Sequence, residues 1–314
     1  MTLDSYALRP ALKAIILCLL PGLEEETGED FERMAHALDK LRQAVTVSPD
    51  THDETKADGT ASHYWQCFFL ATITNPSRRQ GALAFLVRRL PKFGIRNRRG
   101  SISTGKSTAP EKLSNEVESA ISPEPGLLIR CFAAGLSDSQ LLIQRGFLDL
   151  LVSHLPLDSP VLQEKISHDD LERLVAAAAG VVSRRDMSLN RRLWTWFLGP
   201  EPSAGADANE PLASPTHNMK NAGVDVSSHH AAYFSQYGLR SLTRSIMKMI
   251  QRPSNLPADR SKPFRICLSL MDRWEVGGLI VPEIFVPALQ SVQIYSETCS
   301  KEQLDEVMRS ASVF

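Results

Sequence analysis

No C-x-x-C, H-E-x-x-H or Glu-x-x-His arrangement occurs in the 314 residues. The five cysteines, Cys18, Cys67, Cys131, Cys267 and Cys299, are odd in number and far apart, so neither a disulfide framework nor a zinc site is indicated. Four of them lie in apolar runs, where a free thiol acts as a small hydrophobe, and a reducing cytosolic compartment fits best. There is no N-x-S/T sequon. The net charge is −1, which excludes a chain that is a polycation as a whole. The apolar run Ala14–Leu20, between Lys13 and Pro21, is too short to span a bilayer and lacks a signal-peptide cleavage pattern. No Ser-His-Asp or Cys-His arrangement can be located from spacing, and no strand-like alternation is convincing. The expectation is a protein that is not an enzyme, with no cofactor and no metal.

What is present is helical periodicity. Helices are expected over 5–20, 24–45, 61–74, 77–90, 125–135, 138–154, 168–184, 187–198, 230–251, 262–273, 282–298 and 300–311. Glu24, Glu25 and Glu26 suit the start of the second helix. Asn75-Pro76 and Pro91 are breakers. Asp186 is placed to cap the helix that begins at Met187. Trp194, Trp196 and Phe197 read as core, and Gly277-Gly278 reads as a helix stop after Arg273-Trp274. Short helices joined by tight turns indicate an all-α, HEAT- or armadillo-like solenoid of helical hairpins, in which each hairpin buries its face against the next. The chain reads as a single helical domain, 1–314. Two segments, 92–124 and 199–228, lack a core pattern and are expected to be flexible insertions.

Charge is unevenly spread. Residues 1–58 hold 12 acids against 6 Lys and Arg, whereas 76–106 hold nine basic residues and no acid. The basic set Arg78, Arg79, Arg88, Arg89, Lys92, Arg96, Arg98 and Arg99 has three readings: contact with anionic lipid headgroups, pairing with an acidic face of a neighbouring domain, or a solvated face. Nucleic acid is disfavoured, because aromatic residues do not interleave with these arginines. A second basic group is the pair of doublets Arg184-Arg185 and Arg191-Arg192.

Gly100–Ser107 matches G-x-x-x-x-G-K-[ST] letter for letter. A phosphate-cradling loop needs a buried strand before it and a helix after it. Arg96-Asn97-Arg98-Arg99 and Thr108-Ala109-Pro110 supply neither, so coincidence is the better reading. Arg98-Arg99-Gly100-Ser101-Ile102 has the form favoured by basophilic kinases, which marks Ser101 as a candidate phosphosite.

The blocks Leu12–Glu26, Ala84–Pro91, Gln144–Pro156, Arg184–Gly199 and Lys262–Gly278 resemble, in order, the N-terminal region of the Dopey proteins. The resemblance implies a cytosolic scaffold, peripheral on Golgi and endosome membranes, acting in protein transport. It implies as partners a Mon-type, ARF-exchange-factor-like scaffold and a phospholipid flippase, with anionic Golgi lipids (phosphatidylinositol 4-phosphate) and kinesin light chain as further contacts. Dopey proteins are very large, so a chain of this length is expected to be a fragment, a truncated gene model or a degenerate copy. The family has no agreed catalytic residues to carry over.

Overall fold

The computed structural model describes residues 8–46, 54–94, 113–200, 221–251 and 261–298, with a few positions from Ser300 onward. Its elements are helical throughout. They are α1 (Leu12–Leu19), α2 (Phe31–Thr46), α3 (Glu54–Thr74), α4 (Arg79–Arg89), α5 (Asn115–Ile121), α6 (Pro125–Leu136), α7 (Leu141–His154), α8 (His168–Gly180), α9 (Met187–Leu198), α10 (Asn221–Tyr237), α11 (Leu239–Gln251), α12 (Lys262–Met271) and α13 (Trp274–Thr298). Short 3-10 turns stand at Arg9–Ala11, Leu20–Leu23, Pro76–Arg78 and Val181–Arg184. Among the described residues there is no strand, so the strand that a phosphate-binding loop requires is missing from them. Gly100–Ser107 itself lies outside the described residues.

The fold is all-α and solenoid-like, as the periodicity requires. It divides into two compact units, 1–174 and 175–314, with the division inside α8, where the sequence reading has a single domain.

In the first unit α3 is the central helix. It packs against α1, α2, α5 and α6. Its successive aromatics supply the reason: Tyr64, Trp65, Phe68 and Phe69 are all buried. Trp65 stacks on Phe69 at 5.6 Å between ring centres, and Phe68 meets Phe85 of α4 at 5.1 Å. Such rings bury large areas and add about 0.5–1.5 kcal/mol per pair beyond burial. Glycines permit the closest helix approaches. A Cβ on Gly81 of α4 would lie 2.0 Å from the Leu20 carbonyl oxygen, and one on Gly135 of α6 would lie 2.2 Å from the Phe147 ring.

In the second unit α13 is the hub, packed against α10, α11 and α12. Trp194, Trp196 and Phe197 are core residues, as expected. Phe197 meets Phe234 of α10 edge-on at 5.7 Å.

Several expectations are corrected. Helix α5 occupies part of 92–124, because Ser114 accepts the Val117 N–H as a cap and Val117, Ala120 and Ile121 are buried at helical spacing. Helix α10 begins at Asn221, inside 199–228, and Gly238 separates it from α11 where one helix over 230–251 was expected. Helix α2 begins at Phe31 rather than at Glu24. Gly277 and Gly278 lie inside α13 and do not end a helix. A Cβ on Gly277 would lie 2.9 Å from Met271 Cα and 3.0 Å from the Leu270 oxygen, so this glycine lets the end of α12 abut the start of α13.

Candidate functional site

Pro76 opens the 3-10 turn that precedes α4, and Asn75 before it leaves the helical region (φ −128°, ψ 86°), which a following proline disfavours. The break swings α4 across the first unit, where it packs on the Leu20–Leu23 turn and on α7. Its arginines therefore face carboxylates far away in sequence.

Arg79 is the most enclosed of them. Its Nη1 donates to Asp138 Oδ2 at 2.7 Å, its Nε to the Thr72 carbonyl at 3.1 Å and its Nη2 to the Ile73 carbonyl at 3.2 Å. It closes the C-terminal carbonyls of α3, which have no partner within the helix. Asp138 Oδ1 accepts the Gln140 N–H at 2.8 Å, so this carboxylate also orders the entry to α7.

Arg89 grips Asp39 of α2, with Nε at 2.8 Å and Nη2 at 2.6 Å from Oδ2. Arg78 reaches Glu24 at 3.4 Å, and Gln80 donates to the Glu24 carbonyl at 2.7 Å. Arg88 reaches Glu26 at 3.2 Å and lies over the Phe31 ring, 4.5 Å from its centre. Glu24 and Glu26, expected at the start of α2, instead receive the arginines of α4 and of the turn before it. Four of the eight candidate binding residues, Arg78, Arg79, Arg88 and Arg89, are drawn together as braces within one unit. No local pattern marks these pairs, since the partners stand 50 to 62 residues apart.

Lys92 is exposed just beyond α4. The chain there is held by the Phe93 N–H, which donates to the His154 carbonyl at 2.7 Å at the end of α7. Burial, and then the nearby Lys92, lower the His154 pKa, and its Nδ1 is 2.7 Å from Ser153 Oγ. Arg96, Arg98, Arg99 and the candidate phosphosite Ser101 lie outside the described residues.

The three buried cysteines are poor nucleophiles, because burial raises their thiols. Burial raises the Cys131 and Cys267 thiols to about 12. Cys67 is also raised by burial, and its Sγ makes a 3.7 Å contact with His63 Nε2. His230 Nδ1 bonds the Leu198 carbonyl at 2.7 Å and so closes the end of α9. Among the described residues no three His, Cys, Asp or Glu side chains come together to hold a metal. No helix of the described residues is long and apolar enough to cross a membrane.

Residues 1–202 match the family model described as "Dopey, N-terminal", and 233–314 match the "DOP1 middle TPR domain". The chain belongs to the Dopey family. It is 51% identical over 317 residues to Protein dop1 of Emericella nidulans, covering 99% of this chain and 17% of the relative. It is 31% identical to Protein DOP1 of Saccharomyces cerevisiae, covering 99% of this chain and 18% of that protein. Protein DOP1B of Mus musculus is 27% identical over 92% of the chain and 11% of its own length. The chain thus spans less than a fifth of these Dopey relatives. No solved structure matches.

Proposed function

We propose that this Dopey-family chain is the partner-binding helical part of a non-enzymatic scaffold in Golgi–endosome membrane traffic and protein transport, held peripherally on those membranes from the cytosol. The observation that carries the reading is the joining, in one chain, of a Dopey N-terminal match and a TPR match. Stacked helical repeats offer extended surfaces for proteins. The proposed partners are a Mon-type, ARF-exchange-factor-like scaffold and a phospholipid flippase, with kinesin light chain as a further contact.

The rival reading, a phosphoinositide-binding module centred on 78–99, is the weaker one. Arg78, Arg79, Arg88 and Arg89 already have carboxylate partners. Lipid contact would fall to Lys92 and to Arg96, Arg98 and Arg99, which lie outside the described residues.

The test uses the full-length protein in cells, with and without this segment. Tagged protein is followed against Golgi and endosome markers, and the two proposed partners are measured in its purified complexes. Loss of both partners on deletion supports the reading. Unchanged partner recovery and location would overturn it.

A further inference from the structure

The second unit carries a basic surface that the braces of α4 do not explain. It is built around the 3-10 turn Val181–Arg184, on which the start of α9 and helix α12 both pack. Arg185 follows the turn in the left-handed region, at φ 55° and ψ 30°. Asp186 then caps α9, its Oδ1 accepting Ser188 N–H at 2.8 Å, Leu189 N–H at 3.0 Å and Ser188 Oγ–H at 2.5 Å. That oxygen, on the nearest carboxylate in sequence, is thereby committed to the helix end.

Arg185, Arg191 and Arg265 are exposed and Lys262 is partly so. None of the four has an ion-pair partner among the described residues, in contrast to the four arginines of 78–89. Lys262 lies against the residue that leads into the turn: its Nζ is 3.0 Å from where a Cβ on Gly180 would stand. Helix spacing places Arg265 one turn further along the same side of α12.

Apolar side chains stand among these cations. Met187 is 81% exposed, one turn before Arg191 on α9, and Leu268 is 42% exposed, one turn after Arg265 on α12. Both helices therefore offer a cation next to an uncovered apolar side chain, and the two flank one turn.

We propose that this surface docks an acidic peptide segment of a partner protein, with apolar residues spaced between its carboxylates. Arginine forks match carboxylates in bidentate pairs, and an exposed Met adapts to varied apolar neighbours. A membrane is the poorer occupant. Interfacial contacts favour exposed Trp and Tyr, whereas Trp194 and Trp196 beside this surface are buried. The inference rests on the scaffold reading for its kind of partner, but its test uses the isolated chain and no cellular compartment.

The probe is a fluorescent synthetic peptide of repeated Glu-Glu-Leu units, titrated with the 314-residue chain and read by anisotropy. A Lys-Lys-Leu peptide and phosphatidylserine vesicles are the comparison arms. The expected result is saturable binding of the acidic peptide alone. It should weaken about tenfold in Arg185→Asn/Arg191→Gln/Arg265→Gln, and with salt as the screening length falls below about 10 Å. Arg191→Gln alone, at an exposed position, guards against a folding defect and should weaken binding in the same direction. No binding of the acidic peptide, equal binding by the triple variant, or binding of vesicles without the peptide would each overturn the proposal. Loss of cellular partners with peptide binding intact would instead count against the scaffold reading.

Discussion

Arg79 and Asp138 form a buried ion pair, 2.7 Å apart, with side chains only 11% and 4% exposed. The pair joins the start of α4 to the turn before α7, 59 residues apart in sequence. Removing one partner leaves a buried charge uncompensated, which typically costs about 3–5 kcal/mol. Asp138→Ala should therefore lower the thermal midpoint strongly. The double change Arg79→Met/Asp138→Leu should restore much of the loss. A double variant as unstable as the single one would show that the hydrogen bonds to Thr72 and Ile73, and not the charge pair, hold α4 in place.

Asp186 supplies the cap of α9. Asp186→Ala should cost about 1 kcal/mol, within the usual range of about 0.5–2. Asp186→Ser should recover most of it. Denaturant unfolding of the second unit measures both.

Helix α9 shows how much of the fold is legible locally. Its observed bounds, Met187–Leu198, are those expected, because Asp186 and Gly199 mark its ends within the sequence itself. Breakers at Asn75-Pro76 work in the same way. What local signals cannot supply is the use of Glu24 and Glu26. An acidic triplet suits a helix start, yet these carboxylates answer Arg78 and Arg88, 54 and 62 residues away. The Gly277 reading fails for the same reason: its role is set by Leu270 and Met271 pressing on it, not by its own preference. The candidate site follows this pattern. The basic residues are visible in the sequence, but which of them are already paired is decided by tertiary packing.

Gly81 tests that packing directly. In Gly81→Ala the new methyl would meet the Leu20 carbonyl. Alanine is ordinarily the better helix former, but overpacking of this kind costs about 1–3 kcal/mol. The expected result is a lower thermal midpoint, and a higher one would contradict the close approach of α4 to the Leu20–Leu23 turn.

His154 gives stability a dependence on pH. Its folded pKa lies below the ordinary 6.5, so the unfolded chain binds the proton more readily. Its contribution is complete above pH 6.5 and is lost as pH falls from there through the lower, folded value. His154→Gln should flatten the stability profile across that window. A profile as steep as that of the wild type would assign the slope to other groups.

The claim that the arginines of 78–89 are internal braces is tested most directly by co-sedimentation with vesicles containing phosphatidylinositol 4-phosphate. The comparison is between the wild-type chain and Arg78→Gln/Arg88→Gln, which breaks only the two more exposed pairs, with circular dichroism to establish folding. The account predicts that the two proteins sediment equally, whatever the absolute level of binding. Loss of sedimentation in a folded Arg78→Gln/Arg88→Gln variant would contradict it and make α4 a lipid-binding helix.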